Sequence, residues 1–403
     1  MDSFEVNQMK RWGTLLVINF VFLTFAFALQ SVPPVLYLIT AELDLSYAQA
    51  GLLMSLFALP GIIISIPAGH LSDHYGQKNI GIASLGLIII GSAVFASGDS
   101  FIILAMGRII SGIGAMTISV IAPQLIAKLF TGRQLGIAMG IFTAMMPLGT
   151  VLSLNLLSLL GESFGWRTSI WLCVLITVVA LILFAIIYSP AAQKRQEKLP
   201  ESMSFVNNLG SVGMSVWLLS AIWMFYNGVF ASITTFTPIF LKVSGFIITE
   251  AGFLTSIIML PSILLSPVFG LLIGRFSRKS VFIIAGSLIW TIVVLFVPIS
   301  GKFILAPMIL LGLTSSLITV PTYVLIAEVT DSEKLGLAYG IMSSTVNVGI
   351  LAGPALAGFT IDITHSYQAS YYLDSGFALM IALSAIMLFR KLRWISSDKN
   401  SLI

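Results

Sequence analysis

Twelve stretches of mostly apolar residues, each long enough to cross a bilayer as a helix, dominate this 403-residue sequence. A membrane-spanning helix needs about 20 such residues. The stretches are continuously apolar rather than alternating, so the sequence predicts helical spans and excludes a transmembrane β-barrel. The predicted spans are residues 12–39, 49–68, 79–97, 101–129, 135–160, 171–188, 216–241, 251–273, 281–298, 303–327, 335–360 and 371–389.

Composition agrees with this prediction and excludes several other classes of protein. Hydrophobic residues make up 58% of the chain and charged residues 9%, whereas a soluble domain carries about 25% charged residues. A disordered chain would need low hydrophobicity and high net charge. The 20 Lys and Arg residues are scattered, so no basic patch for a nucleic acid is expected. The sequence therefore predicts an all-α polytopic membrane protein.

The positions of the basic residues predict the topology, because Lys and Arg resist translocation. If the N-terminus is cytoplasmic, sixteen basic residues lie inside and three lie outside, namely Arg167, Lys242 and Lys302. We therefore expect both termini to be cytoplasmic. The short loops favour a bacterial or archaeal plasma membrane.

Charged residues avoid the predicted membrane interior with one exception. Arg108 is the only charged residue that the sequence places deep in a span. The acidic residues Asp362 and Asp374 are expected in or near outer loops, so no carboxyl group is predicted in the middle of a span. A charge buried in lipid is costly and nearly always faces a cavity or a partner.

The two halves of the chain resemble each other after a shift of 200 or 201 residues. The matched pairs include Gly51 and Gly252, Pro60 and Pro261, Gly136 and Gly336, and Gly140 and Gly340. The sequence predicts an N-terminal six-helix bundle at 1–188, a cytoplasmic linker at 189–215 and a C-terminal six-helix bundle at 216–403. Parallel repeats of this type predict a substrate site between the halves, near the bilayer midplane.

The loop between the second and third spans carries a recognisable pattern. It reads GHLSDHYGQK from Gly69 to Lys78 and resembles the G-x-L-x-D-x-x-G-x-[RK] signature of the major facilitator superfamily. The resemblance extends to the length, the twelve spans and the repeat, and it implies a fold of two parallel six-helix repeats. The resemblance implies that this loop acts as a latch, which holds the two halves together in the outward-facing state. The resemblance thus implies gating roles for Gly69, Leu71, Asp73, Gly76 and Lys78.

The matching loop of the second half keeps only part of the pattern. It reads GLLIGRFSRK from Gly270 to Lys279 and has Gly274 where the first half has Asp73. An acidic latch residue is therefore not expected here. The gating candidates in this half are Gly270, Arg275, Arg278, Lys279 and Glu328. We expect Glu328, at the inner end of the tenth span, to be available for pairing with Arg275 or Arg278.

Arg108 and Gly112 lie on one face of the fourth predicted span. Their surroundings resemble the R-x-x-x-G-x-G motif of the family, which implies proton or substrate handling. The alternative is a structural arginine that donates to carbonyl groups of a neighbouring helix.

Small residues at helical spacing mark the fifth and eleventh spans as close-packing helices. The predicted packing residues are Gly136, Gly140, Pro147, Gly149, Gly336, Gly340 and Gly349. The antiporters of the family carry a G-P-x-x-G-G element in the fifth span, and this chain has only part of it around Pro147. That departure weakens the interpretation as a drug–proton antiporter.

Uncharged polar residues within the spans are candidates for a substrate or proton pathway, or for bonds between helices. Asn19 and Gln30 are eleven residues apart in the first span and share a face. The other candidates are Tyr226 and Asn227 in the seventh span and Asn347 in the eleventh.

The resemblance implies a secondary active transporter of a small organic solute, either proton-coupled or an anion or metabolite porter. A multidrug or metabolite efflux proton antiporter is the alternative, and a non-transporting membrane receptor or scaffold is a remote one. No G-x-x-x-x-G-K-[ST] pattern occurs, so an ATP-driven pump is not expected. No enzyme activity, cofactor or metal site is predicted. The expected partners are the lipid bilayer, a small-molecule substrate and protons, without nucleic acid, and a monomer is expected.

Overall fold

A computed structural model describes residues 3–64, 75–130, 132–188, 212–261, 263, 265, 278–330 and 335–400. Within these ranges every regular element is helical, because long apolar segments in lipid must satisfy their backbone hydrogen bonds internally. The predicted linker at 189–215 lies almost entirely outside the described residues, so its boundaries stay a prediction.

Fourteen helices are numbered here in chain order. The first seven are α1 (Ser3–Leu29), α2 (Leu36–Leu43), α3 (Tyr47–Ser55), α4 (Gln77–Ser97), α5 (Phe101–Leu129), α6 (Gly132–Leu152) and α7 (Ser158–Phe164). The next seven are α8 (Trp166–Ile187), α9 (Met214–Val243), α10 (Ile248–Ser256), α11 (Ser280–Phe296), α12 (Leu305–Glu328), α13 (Leu335–Thr364) and α14 (Tyr367–Asn400).

Eleven helical segments of the described chain are long and apolar enough to cross a membrane. The eighth predicted span is described only at its start, where a shorter apolar helix covers Ile248–Met259. The predicted fold class is confirmed: the chain is an all-α membrane protein. Predicted and observed span ends agree within a few residues in most cases, and the last span begins earlier than predicted, at Tyr367.

The chain forms two compact units. The first comprises Met1–Arg195 together with Thr237–Ser256, and the second comprises Gln196–Phe236 and Ile257–Ile403. In the first unit α1 packs against α5, α6 and α8, while α4 packs against α5 and α8. In the second unit α11 packs against α12 and α14, and α13 packs against α14.

Several spans are interrupted rather than continuous. The first span leaves the α-helix after Leu29, passes through a 3-10 turn at Pro33–Val35 and resumes as α2. Proline has no backbone N–H and fixes its own φ, so a Pro33-Pro34 pair favours such a break. The second span is interrupted by a turn at residues 56–58, and the eighth by a 3-10 turn at Ile257–Met259.

Polar side chains hold the end of the first span to the start of α8 in the first unit. The Glu42 carboxylate accepts a hydrogen bond from Trp166 Nε1 at 2.8 Å and pairs with Arg167. Arg167 also donates to the Gly98 carbonyl at 3.1 Å. These bonds connect three chain segments that are distant in sequence.

Candidate functional site

Arg108 lies in the interior of the first unit, with 3% of its surface exposed. Its Nε donates to the Leu53 carbonyl at 2.8 Å, and its two Nη atoms donate to the Ala28 and Leu29 carbonyls at 2.9 and 3.1 Å. Longer contacts reach Ser31 Oγ at 3.5 Å and Met54 Sδ at 3.7 Å. The N–H groups of the guanidinium therefore donate to backbone and side-chain atoms of its own unit.

The acceptors of Arg108 lie where two helices are interrupted. Ala28 and Leu29 are the last residues of α1, and Leu53 lies one turn before the interruption of the second span. Carbonyl groups freed by a break must find donors inside a membrane. The Arg108 guanidinium supplies them, and the Phe57 ring lies 4.3 Å from its centre. This is the geometry of a structural arginine, and it leaves no evident donor for a solute.

Gly112 permits the interrupted second span to approach α5 closely. A Cβ atom on Gly112 would lie 2.2 Å from the Phe57 carbonyl oxygen. Gly312 has the same relation in the second unit, where a Cβ would lie 2.5 Å from the Ile258 oxygen. Both glycines therefore contact the interruption of a neighbouring span, and the contact recurs after a shift of 200 or 201 residues.

The two amides predicted in the first span are buried with one atom unpaired. Asn19 Nδ2 donates to the Leu15 carbonyl at 3.0 Å within its own helix. Neither Asn19 Oδ1 nor Gln30 Oε1 has a hydrogen-bond partner among the described residues. The Gln30 backbone carbonyl accepts from Ser153 Oγ at 2.6 Å. The pair therefore presents two buried acceptors beside the interruption and along α1.

In the second unit the corresponding helices meet through aromatic rings and hydroxyls. Tyr226 is buried, and its hydroxyl hydrogen-bonds with Ser315 Oγ at 2.8 Å. The Trp223 ring is stacked on Tyr226 with centroids 5.3 Å apart and contacts Tyr323 edge-on at 4.9 Å. Tyr323 is 46% exposed and Trp223 is half-buried. Sequence reasoning did not nominate Trp223, Ser315 or Tyr323, because aromatic and small polar residues are common in spans.

The two amides predicted in the second half bond to their own helices. Asn227 Nδ2 donates to the Trp223 carbonyl at 2.8 Å, and Asn347 Nδ2 donates to the Ser343 carbonyl at 3.0 Å. Asn227 is half-buried and Asn347 is buried. The structure brings Asn227 together with the Trp223–Tyr226–Tyr323 group, here termed the aromatic cluster.

Asp374 corrects the prediction that Arg108 is the only charged residue deep in a span. Its exposed fraction is 1%, and its Oδ2 accepts from Ser232 Oγ at 2.7 Å. The sequence places it near an outer loop because the predicted span starts at residue 371. The helix α14 in fact begins at Tyr367, which puts Asp374 about two turns inside it. Alignment of the two halves would have shown Asp374 at the position of the buried Cys173.

The predicted gating residues are described only in part. Gly69, Leu71, Asp73, Gly270 and Arg275 lie outside the described residues. Gly76 adopts a φ of 86°, which favours glycine, and caps the start of α4, where Lys78 is half-buried.

Glu328 pairs with Lys279, and Arg275, one of its predicted partners, lies outside the described residues. Lys279 Nζ lies 2.7 Å from Glu328 Oε1, while Arg278 is exposed. Lys279 is the last residue of the loop motif and is largely buried, with its ammonium at the end of α12.

Two of the predicted packing glycines leave no room for a Cβ atom. A Cβ on Gly149 would lie 2.5 Å from Ala26 Cβ, and one on Gly349 would lie 2.1 Å from the Met224 oxygen. The remaining members, Gly136, Gly140, Pro147, Gly336 and Gly340, lie within α6 and α13.

A polar contact that the sequence did not indicate ties α10 to the fifth span within the first unit. The fifth span contains a π-helical turn at Ser153–Leu157. Asn155 Nδ2 donates to Ser256 Oγ at 3.0 Å, and a Cβ on Gly252 would lie 2.2 Å from the Leu154 oxygen. A π-helical turn is frequent at functional sites and leaves backbone carbonyls open to a neighbour.

Comparison with known proteins supplies the evolutionary context of this arrangement. The sequence pattern of the Major Facilitator Superfamily matches residues 18–248 and 245–401, which together cover most of the chain. The matched regions include both sets of interrupted spans, Arg108 and the aromatic cluster.

Individual relatives are distant but extend over most of the chain. The chain is 25% identical to the lysosomal dipeptide transporter MFSD1 of Bos taurus, over 86% of this chain and 77% of that protein. It is 24% identical to the hexuronate transporter of Bacillus subtilis (strain 168), over 87% of each. The crystal structure of the nucleoside transporter NupG superposes with a TM-score of 0.78 at 13% identity, covering 93% of this chain and 100% of NupG.

Proposed function

The chain belongs to the Major Facilitator Superfamily, and from that premise we propose that it is a secondary transporter which moves a small organic solute by alternating access. Transport is the activity named for its relatives. The chain is a multi-pass membrane protein, and we propose a bacterial or archaeal plasma membrane with both termini cytoplasmic. The excess of basic residues in the predicted inner loops supports this orientation.

The observation that carries the proposal is the repeated interruption of matching spans. The second span is interrupted at residues 56–58 and the eighth at Ile257–Met259, a shift of 201 residues. Each interruption has a backbone oxygen against a glycine of the neighbouring helix, Gly112 or Gly312. Interrupted helices inside a membrane are maintained where backbone must bend or line a cavity. A pair of such points, one in each repeat, supports a rocking mechanism.

The side chains on the pathway helices favour a solute recognised by hydrogen bonds and ring contacts. Arg108 has its donors engaged with carbonyl oxygens of its own unit, so we propose a positioning role for it rather than anion binding. Asn227 and Tyr323, in contrast, are partly exposed residues that contact Trp223, Asn227 at the Trp223 backbone carbonyl and Tyr323 at the Trp223 ring. This combination suits a polar organic metabolite with an apolar or planar part.

The named substrates of the relatives provide the candidates to test. Dipeptides, hexuronates and nucleosides differ in charge and in the presence of a planar ring, so they separate the recognition features. We place a nucleoside or an apolar dipeptide ahead of a hexuronate, because the aromatic cluster offers ring contacts and the buried cation Arg108 is already bonded to carbonyl oxygens. The latch role of Asp73 and Lys78 remains part of this proposal.

Counterflow in proteoliposomes tests the proposal. Vesicles loaded with one unlabelled solute should accumulate the same labelled solute without ATP, and protein-free vesicles should not. Tyr323→Ala should raise KM for the transported solute, while Tyr372→Ala, at an exposed position of α14, serves as the matched control. Folded protein that exchanges no member of the three solute classes would contradict the substrate proposal. Accumulation that requires ATP would contradict the secondary mechanism.

A further inference from the structure

Asp374 is a buried carboxyl group with an incomplete set of partners. Its Oδ2 accepts one hydrogen bond from Ser232 Oγ at 2.7 Å. Its Oδ1 is fully buried and has no hydrogen-bond partner among the described residues. Native proteins leave few buried polar atoms unpaired, and each such atom requires a physical explanation.

The helices around Asp374 contain few titratable groups. In α14 itself the nearest are Tyr371 and Tyr372, and the basic residues lie at its far end, from Arg390 onward. The packed helix α11 contains no ionisable residue at all, and neither does the turn at Val297–Ile299. The packed helix α13 carries Tyr339 and Asp362, and residues 214–236 of α9 carry Tyr226 alone. No basic residue of these elements lies in the part of the span that holds Asp374.

Hydroxyl groups, in contrast, surround this part of the second unit. Ser232 belongs to α9, and Phe225 of α9 contacts Phe377 of α14, about two turns from Ser232 and one turn from Asp374. On the neighbouring side Ser375 Oγ donates to the Thr291 carbonyl at 2.8 Å. The environment of the carboxyl is therefore neutral and weakly polar.

Such an environment favours the protonated form of a carboxyl group. An isolated ionised carboxylate in an apolar interior is strongly disfavoured, and one hydroxyl donor offsets only part of the cost. Protonation at Oδ1 removes the charge, so the oxygen without a partner belongs to a neutral group rather than to an ion. An intramembrane ionisable residue is by default a functional candidate.

The repeat shows that the fold does not need a carboxyl at this position. The segment SYYLD, ending at Asp374, matches SIWLC, ending at Cys173, after the 201-residue shift. Cys173 is buried and bonds weakly to the Ser169 carbonyl of its own helix. The serine that contacts Asp374, Ser232, likewise matches Ser31. The same place in the first half is thus filled by a neutral side chain.

We propose that Asp374 is a proton-binding site of the second unit, which takes up a proton at its carboxylate from water and returns it to water during the transport cycle. The acid form is the resting state, with Ser232 bonded at Oδ2. A movement of α9 against α14 would separate Ser232 from Oδ2 or admit water to Oδ1, and either change alters the balance between the two forms. Because α9 also carries Trp223 and Tyr226 of the aromatic cluster, proton occupancy and solute occupancy act on one helix.

A proton fits this site better than a metal cation. Hard cations are held by several oxygen ligands, whereas Ser232 supplies the only hydrogen bond that the described residues make to this carboxyl. The coupling role rests on the proposed transport function, but proton binding itself does not. Proton binding by Asp374 and its coupling to transport are therefore testable separately.

Infrared spectroscopy of the full-length protein in lipid nanodiscs tests proton binding without any substrate. The probe is the C=O stretch of a protonated carboxylic acid, followed between about pH 5 and about pH 9. We expect a band that decreases as the pH rises and shifts in D₂O. The band should be absent from Asp374→Asn and present in the matched control Asp362→Asn, which changes a half-buried carboxyl of α13.

Ser232→Ala keeps the test informative if Asp374→Asn fails to fold. Removal of the hydrogen bond at Oδ2 should move the frequency of the band without abolishing it. A wild-type spectrum with no Asp374-dependent acid band at any pH would overturn the proposal, since the residue would be a permanent carboxylate. A band that persists unchanged over the whole range, or one that only Na⁺ removes, would overturn it as well.

Transport measurements then test the coupling role. With the solute identified by counterflow, an imposed pH gradient should increase initial uptake by wild-type protein at least about tenfold, equivalent to about 1.4 kcal/mol. Asp374→Asn should keep counterflow and lose this increase. An undiminished response to the gradient in Asp374→Asn would overturn the coupling role, whereas loss of counterflow in wild-type protein would indicate failure of the transport proposal instead.

Discussion

The two halves of the molecule each bury an ionisable group in the same region of the repeat, a guanidinium in the first and a carboxyl in the second. In the first unit Arg108 contacts Ser31 and lies near Cys173. In the second unit the matching positions, after shifts of 200 or 201 residues, are Met308, Ser232 and Asp374, where the hydroxyl bonds to the acid. The first half thus buries a cation that donates hydrogen bonds to carbonyls at a helix interruption. The second half buries a carboxyl group that accepts one hydrogen bond from a serine hydroxyl.

Helix continuity explains why only one half needs a cation. The first span is interrupted after Leu29, which leaves carbonyl groups without helical donors, and Arg108 supplies donors to Ala28 and Leu29. In the second half α9 runs without interruption through Met214–Val243. The residues that match Ala28 and Leu29, Val229 and Phe230, lie within this helix, so the apolar Met308 fills the place of the arginine. The duplicated fold therefore tolerates unlike residues because the local backbone differs.

The largest expected effect comes from Arg108→Ala. Hydrogen bonds from a charged donor contribute about 1.5–3 kcal/mol each, so loss of three short bonds should lower the free energy of unfolding by more than about 4 kcal/mol. Arg108→Lys should restore little of it, because an ammonium lacks the planar fork of donors. Thermal unfolding of the purified protein in detergent measures both. The control is Met308→Leu at the matching position, and similar losses in the two variants would contradict the difference between the halves.

The glycine contacts at the interruptions should show a smaller and symmetric effect. Gly112→Ala and Gly312→Ala each force a Cβ into a carbonyl oxygen, which should cost about 1–3 kcal/mol. They should also slow transport, since the hinge geometry changes. Gly376→Ala, where nothing lies within 4 Å of the added atom, should be neutral or slightly stabilising. A destabilising effect at only one of the two interruptions would contradict the structural equivalence of Gly112 and Gly312.

Asp374→Asn should be less destabilising than either change. The amide has the shape of the neutral acid and keeps an acceptor for Ser232, so we expect a loss of less than about 2 kcal/mol, from one poorly satisfied amide donor. Unfolding in detergent at a fixed pH is again the measurement. A loss as large as that of Arg108→Ala would mean that Asp374 holds the fold together as an ion and not as an exchangeable acid.

Tyr226→Phe isolates the hydroxyl contact of the aromatic cluster. The change removes the hydrogen bond to Ser315 and keeps the ring contacts with Trp223, so stability should fall by about 1 kcal/mol. Tyr372→Phe at an exposed site is the matched control. Equal stability of Tyr226→Phe and wild type would show that ring packing alone joins these helices.

The smallest effect is expected for the ion pair at the predicted inner end of the second half. Glu328 is about half exposed, and exposed pairs contribute less than about 1 kcal/mol. A double-mutant cycle with Lys279→Gln and Glu328→Gln measures the coupling energy directly. A coupling energy above about 1 kcal/mol would mean that this ion pair is stabilised as a buried pair rather than as a surface pair.

The spans, the helical class and the deep arginine were predictable because each has a strong local signal. An apolar run of spanning length needs no partner to be recognised, and one charge inside such a run is conspicuous. Asp374 was misplaced because its helix begins four residues before the predicted start, and a shift of one turn moves a carboxyl from the loop to the interior. Lys279 was not named as a partner of Glu328, because Arg275, Arg278 and Lys279 lie within five positions of one another and the sequence does not rank them.

Sequence alone determined the transmembrane class, the family and the internal repeat, since these depend on hydrophobicity and on patterns along the chain. Tertiary structure decided what each buried polar group does. It showed that Arg108 binds the carbonyls of two interrupted helices, that Ser232 bonds to Asp374, and that Gly112 and Gly312 meet equivalent interruptions. Such partners are distant in sequence, and inside a bilayer the energy of a polar group depends almost wholly on which partner it reaches.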